Sequence, residues 1–247
     1  MNNRQALTRL FWTDRFTWLY LPGLIVLLSF AVNLIVAYYV EGVMVTGGVV
    51  SIFIFMFIMG VMVTYQYFSF IAGLSVRRTD FLTGILQHIA GVGVIFGMLV
   101  VGLAYVEVSL TEGWSQHMYF FSVMFGDNAS IASMLISFIL WLMHSFCLGL
   151  VFGCAYRRFG KISVYVIIFG GIFVSGLAVW AMHRLGVLEI SMMWLEQGAG
   201  LQVEGGGNKR FISWLAERSA FDYSLATVPF TLVYIALSYV FLRRADV

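Results

Sequence analysis

Two histidines, His88 and His144, stand inside long apolar runs of this sequence, "FLTGILQHIAGVGVIFGMLV" and "ISFILWLMHSFCLGL". An ionisable side chain at membrane depth is a functional candidate by default, and a facing pair of imidazoles would carry protons or hold a metal. Neither histidine has a carboxylate within its own apolar run. The simpler expectation is therefore a neutral ring hydrogen-bonded to a neighbouring helix, and Asn33, Gln66 and Gln87 are read in the same way, as bonds between helices first and cavity lining second.

Other catalytic constellations are missing. The chain has no G-x-x-x-x-G-K-[ST] phosphate loop, no H-E-x-x-H and no G-x-S-x-G, so nucleotide binding by a phosphate loop, zinc proteolysis and nucleophile-elbow chemistry have no motif to stand on. "VSG" at Val174 to Gly176 is too little for a serine protease, with the nearest histidine, His183, at the far end of the same run. Cys147 and Cys154 lie about 10 Å apart along one helix, beyond disulfide reach, and are read as packing residues. No metal site is expected.

The elements that position these residues follow from composition. The chain is 61% hydrophobic and only 11% charged, where a soluble domain carries about 25% charge. Several uncharged stretches exceed the roughly 20 residues that cross a bilayer as a helix. "GGVVSIFIFMFIMGVMV" has no polar alternate face, which disfavours a barrel. The fold class expected is an all-α membrane protein with six transmembrane helices, near 17–40, 43–71, 82–106, 129–154, 162–182 and 223–242. Arg4, Arg9, Asp14 and Arg15 are spread over the first fifteen residues and no small-residue cleavage site follows, so the first span is expected to be retained.

Lysine and arginine near span ends are retained on the cytoplasmic side. With six spans, Arg4, Arg9, Arg15, Arg77, Arg78, Arg157, Arg158, Lys161, Arg243 and Arg244 gather on one side, against Arg184, Lys209, Arg210 and Arg218 in one loop on the other. Glu41, Glu107, Glu112, Asp127, Glu189, Glu196, Glu204, Glu217 and Asp222 fall on the arginine-poor side. Both termini are expected in the cytoplasm, in an inner or plasma membrane. The net charge of +2 is topological and implies no nucleic acid.

Small residues recur at helical spacing: Gly93 with Gly97 and Ala90, and Gly149 with Gly153. They let backbones approach closely, with the partner helix left open between this chain and another. Residues 3–16 are helix-permissive and collect Ala6, Leu7, Leu10 and Phe11 on one face, with Asp14 intruding, as an interfacial helix would. Between the fifth and sixth spans, 183–222 holds "EISMMWLEQ" and "KRFISWLAER" around "GAGLQVEGGG", read as two short helices at the outer surface. Between spans two and three, "AGLSVRRTDFLTG" holds Gly73, suited to end one helix, and Ser75 or Thr79, suited to cap the next. Six to eight residues of short amphipathic helix fit here, with Arg77 and Arg78 facing solvent or lipid phosphate and Val76 and Phe81 making an apolar contact.

This arrangement resembles the permease subunits of ATP-binding-cassette exporters with the type V fold. By topology the likeness covers residues 1–247 as a single permease domain; at residue level it is confined to 73–84, with its glycine, serine, arginines, aromatic and further glycine. The resemblance implies that 72–81 is the coupling segment, in which Ser75, Val76, Arg77, Arg78, Thr79, Asp80 and Phe81 fit a cleft on a cytoplasmic ATPase subunit. It also implies a second permease, identical or homologous, and ATP and magnesium bound by the ATPase, so that this chain is no enzyme and carries no cofactor. Spans rich in Phe, Met, Val and Gly favour an amphipathic or hydrophobic cargo such as a peptide, lipid or drug. The alternatives are the substrate-binding component of an energy-coupling vitamin importer, a membrane enzyme resting on His88 and His144, and a non-transport assembly factor or sensor.

Overall fold

The computed structural model describes residues 9–39, 44–45, 48–73, 76–111, 118–119, 121, 130–163, 165 and 220–243. Five helices among them are long and apolar enough to cross a membrane. Helix α1, Leu21–Tyr39, is led in by a π-helical turn, Phe16–Tyr20. Helices α2, Val50–Gly73, and α3, Arg78–Thr111, follow. Helix α4 is Ile131–Phe159 and α5 is Ala220–Arg243. The protein is thus a helical one built for a membrane, as its composition requires. The expected span at 162–182 and the insertion at 183–222 lie outside the described residues, apart from 162, 163, 165 and the start of α5.

Helix α4 is the hub, packing along α2 and α5 and, less extensively, along α3. Glycine makes the α2–α4 contact possible. A Cβ at Gly149 would meet the Phe57 carbonyl, one at Gly153 would meet Thr64 and the Val61 carbonyl, and one at Gly60 would meet Phe146 and the backbone of Leu150. Backbone lies on backbone, a packing available only to residues without side chains. Gly93 and Gly97 of α3 instead make room for side chains of α4: a Cβ there would lie 3.5 Å from the Ile139 side chain and 3.1 Å from that of Leu135. The partner helix for both small-residue pairs is in this chain.

Contact order along each pair gives direction. Phe57 with Gly149 and Thr64 with Gly153 rise together, so α2 and α4 are parallel; Gly93 with Ile139 and Gly97 with Leu135 run oppositely, so α3 and α4 are antiparallel. Ser224 donates to Ser137 and His144 meets Thr231 at one constant separation of 87 residues, so α4 and α5 are parallel as well. Two two-residue strands, β1 (Met44–Val45) and β2 (Met118–Tyr119), pair in parallel beyond the ends of α1 and α3.

Candidate functional site

Three places gather most of the polar contacts between elements among the described residues. At one end of the bundle the arginines act as staples. Arg157 at the end of α4 donates to the Thr64 carbonyl at 3.3 Å and lies over the Phe68 ring at 4.8 Å, holding the end of α2. Arg158 lies over Phe159 and Phe241. Arg78, at the first position of α3, donates through Nη1 to the carbonyls of Leu242 and Arg243 at the end of α5. A helix leaves its last four carbonyls without intrahelical partners, and a guanidinium there also complements the helix dipole. Arginines read as topological markers therefore also fasten helix ends to one another.

The coupling segment differs from expectation in three ways. Gly73 ends α2 as foreseen, and Leu74 and Ser75 lie outside the described residues. No separate short helix follows: Val76 and Arg77 are non-helical, and Arg78, Thr79, Asp80 and Phe81 form the first turn of α3. Thr79 is inside the helix and caps nothing at its start, while its carbonyl accepts from Thr83 Oγ1 at 2.9 Å; Asp80 places an acid in the first turn, where the helix dipole favours it. Phe81, expected to reach a partner, is wholly buried against Phe11 and Phe68, because an aromatic one turn into a packed helix gains more from the core than from solvent. Val76 is half-buried against the same core, and Arg77 and Thr79 remain exposed.

The second place surrounds His88. Its ring is buried, and neither nitrogen has a hydrogen-bond partner; the expected bond to a neighbouring helix is not made. Aromatic rings from the N-terminal segment enclose it instead. Trp18 lies 4.7 Å and Trp12 4.8 Å away, both near perpendicular, with Phe11 at 5.6 Å. Perpendicular rings suit N–H···π contact, which partly offsets the roughly 1–3 kcal/mol of an unmade hydrogen bond. Phe11 is wholly buried and Leu10 packs against the same core, so the face expected at the lipid interface is turned into the protein. Leu7 lies outside the described residues.

Asp14, which spoiled that face on paper, explains how the segment is held. Its carboxylate accepts the Thr17 backbone N–H at 3.3 Å, the Thr17 hydroxyl at 3.0 Å and the Tyr67 hydroxyl of α2 at 3.0 Å. The first of these is the N-cap pattern, and the last fastens the segment to the bundle. Partial burial pushes the Asp14 carboxyl up, but the bonds from Thr17 and Tyr67 outweigh it and hold it below the ordinary carboxylate value.

The third place is the α4–α5 seam. His144 Nδ1 shares a hydrogen bond of 3.1 Å with Thr231 Oγ1 and its ring packs on Tyr234 at 5.2 Å, the bond between helices expected of it. Ser137 and Ser224, both buried, make the next polar layer at 3.2 Å. His88 and His144 are held in separate surroundings, and no cluster of three or more metal-ligating side chains occurs among the described residues. Cys147 and Cys154 are free and buried. Asn33 bonds Ser29 of its own helix at 2.7 Å, and Gln66 and Gln87 are exposed.

Sequence reasoning missed Glu107. It is buried near the end of α3 and accepts the Phe121 backbone N–H at 2.8 Å; its place just past a long apolar run was the available signal.

No family model matches the chain, and neither a curated protein nor a solved structure matches it.

Proposed function

We propose that this chain is the membrane-spanning permease of an ATP-binding-cassette exporter, with six spans, both termini in the cytoplasm and ATP hydrolysis on a separate subunit. The observation that carries this reading is the turn between α2 and α3. It exposes Arg77 and Thr79 at the arginine-rich end while its next residues are fixed into the bundle through Arg78 and Phe81. A docking element needs one face for the partner and another rooted in what it moves.

Helix direction supports the reading of six spans. Because α4 and α5 are parallel, α4 ends at the end of the bundle opposite to where α5 begins, which a further crossing between them would accommodate. The apolar run 162–182 is long enough for one crossing. With six spans, the positive-inside rule assigns the N-terminal segment and the end of α5 to the arginine-rich side, read here as cytoplasmic.

In operation, ATP closes the partner's nucleotide-binding dimer, the 76–81 segment moves with it, and helices at the interface with a second permease open a route for an amphipathic or hydrophobic cargo. Coupling requires contacts that differ in free energy between the two states. An exposed Arg77 ion pair supplies at most about 1 kcal/mol. The half-buried Val76 beside it contributes the apolar part of the contact.

The test is purification of the tagged chain from its native host in mild detergent. An ATPase subunit is expected to accompany it in equal amount, with Arg77→Ala lowering its recovery while the permease stays inserted. A chain that arrives alone and performs its function without ATP would dismiss this reading in favour of a non-transport membrane factor.

A further inference from the structure

We propose that Arg78 is the positioning residue that ties segment 76–81 to the end of α5, so that load applied at exposed Arg77 and Thr79 passes directly into α5. This rests on reading 76–81 as the docking surface of a separate ATPase, and it divides two adjacent arginines that the sequence presents as a pair.

Arg77 is exposed, whereas Arg78 is half-buried and spans two successive carbonyls, Leu242 and Arg243. Both bonds come from Nη1, whose two N–H groups serve the two carbonyls at once, and the permanently charged, weakly hydrated guanidinium suits such a half-buried tie better than a lysine ammonium. The end of α5 is seated firmly enough to receive a load. Leu242 is wholly buried, Phe159 packs on Phe241 at 5.7 Å, and Arg158 lies over the same ring. Phe81, one turn along from Arg78, anchors the other side of the segment in the core.

The rest of α5 packs along α4 on one side and has features that let it bend under load. Much of its apolar surface is exposed, including Phe230, Leu232, Val233 and Val240. Pro229 interrupts its backbone ladder, and its seam with α4 holds hydroxyl and imidazole contacts at Ser137–Ser224 and His144–Thr231. Arg78 makes a direct polar link from the segment to this helix.

Amide exchange over residues 239–243, measured on the full chain in detergent, tests the tie without any ATPase. Arg78→Ala is expected to raise exchange there about tenfold, the scale of one charge-assisted hydrogen bond. Arg77→Ala leaves it unchanged, and Arg78→Lys restores part of the protection; Arg78→Gln serves where the alanine variant fails to insert. Unchanged exchange in the Arg78 variants overturns the tie. In the co-purified complex, Arg77→Ala is expected to lower ATPase recovery, and Arg78→Ala to keep recovery while bringing ATP turnover down to that of the ATPase alone. Equal loss of ATPase from both variants would make Arg78 a docking residue and overturn its role as transmitter. If wild type recovers no ATPase, the docking reading fails and the load path with it, while the exchange result still decides the tie.

Discussion

Gly149 of α4 lies against the Phe57 carbonyl of α2 so closely that a β-carbon there would strike it. The contact is part of a run, with Gly60 of α2 against Phe146 and Leu150 and Gly153 of α4 against Val61 and Thr64, and it sets the separation of the two helices. Gly149→Val is expected to destabilise the protein by at least about 3 kcal/mol, the upper range of overpacking where backbone cannot yield. Gly102→Ala has open space around it and is expected to be neutral or to stabilise α3 by up to about 1 kcal/mol. Thermal unfolding of the two variants in detergent makes the comparison; similar midpoints would mean that α2 and α4 are not in backbone contact.

His88 offers a test that separates chemistry from packing. Since neither ring nitrogen is hydrogen-bonded, His88→Phe removes an unsatisfied polar group worth about 1–3 kcal/mol and retains an aromatic for Trp12 and Trp18 to pack on. It should match or exceed wild type in stability, while His88→Ala leaves a cavity and loses about 2–4 kcal/mol. Loss of function in a fully folded His88→Phe protein would make the imidazole a working group and revive the membrane-enzyme alternative.

Asp14 supplies the pH dependence. Its folded carboxyl is held below the ordinary value of 3.8, so the stability it contributes is present above that value and disappears as pH falls through the lower, folded one. Amides of Thr17 and Trp18, which bond Asp14 through its side chain and its carbonyl, are expected to stay protected at neutral pH and lose protection only below about pH 4. Asp14→Ala should expose the Thr17 amide at neutral pH, and Tyr67→Phe should do so more weakly. Protection that is already lost at pH 5 would contradict the bond network drawn here.

The parallel course of α4 and α5 makes a topological prediction. In a background with Cys147 and Cys154 replaced, a single cysteine at Lys161 is expected to react only from the side that reaches Arg77. One at Glu189 should react only from the opposite side. Both reacting from one face would rule out the proposed crossing at 162–182.

Periodicity and charge disclosed much of this fold, and the reasons they stopped are physical. Long uncharged runs must be helices in a bilayer, so the existence of α1 to α5 was legible, with ends displaced by up to seven residues, as where the span expected from 43 begins at Val50, and the glycine pairs announced close packing. Hydropathy carries no information on which apolar face meets lipid and which meets protein. Phe11 and Phe81 were therefore assigned outward when both are buried. Arg78 was legible as a charge, but its long side chain reaches α5 across a sequence separation of 164 residues, and no local pattern reports that. His144 followed the general rule for a buried imidazole. His88 departed from it because Trp12 and Trp18 come from a segment whose docking depends on Asp14, a residue that the amphipathic pattern counts as a defect.

Glu107 gives the last test. It is buried at the end of α3 and takes the Phe121 backbone N–H at 2.8 Å, while the Phe121 ring lies 5.4 Å from Phe30 of α1. One side chain thus holds the backbone of a segment whose aromatic ring packs on a different helix. Glu107→Gln retains a carbonyl acceptor of nearly the same shape and should cost less than about 1 kcal/mol. Glu107→Leu retains bulk but leaves the Phe121 amide without this acceptor, and should cost about 1–3 kcal/mol. Phe121→Ala deletes the wedge itself and should cost about 3–5 kcal/mol. Thermal midpoints in that order, with faster exchange at the Phe121 amide in Glu107→Leu but not in Glu107→Gln, are the expected result. A glutamine variant as damaged as the leucine one would show that the carboxyl's other contacts, and not its bond to Phe121, are what the protein depends on.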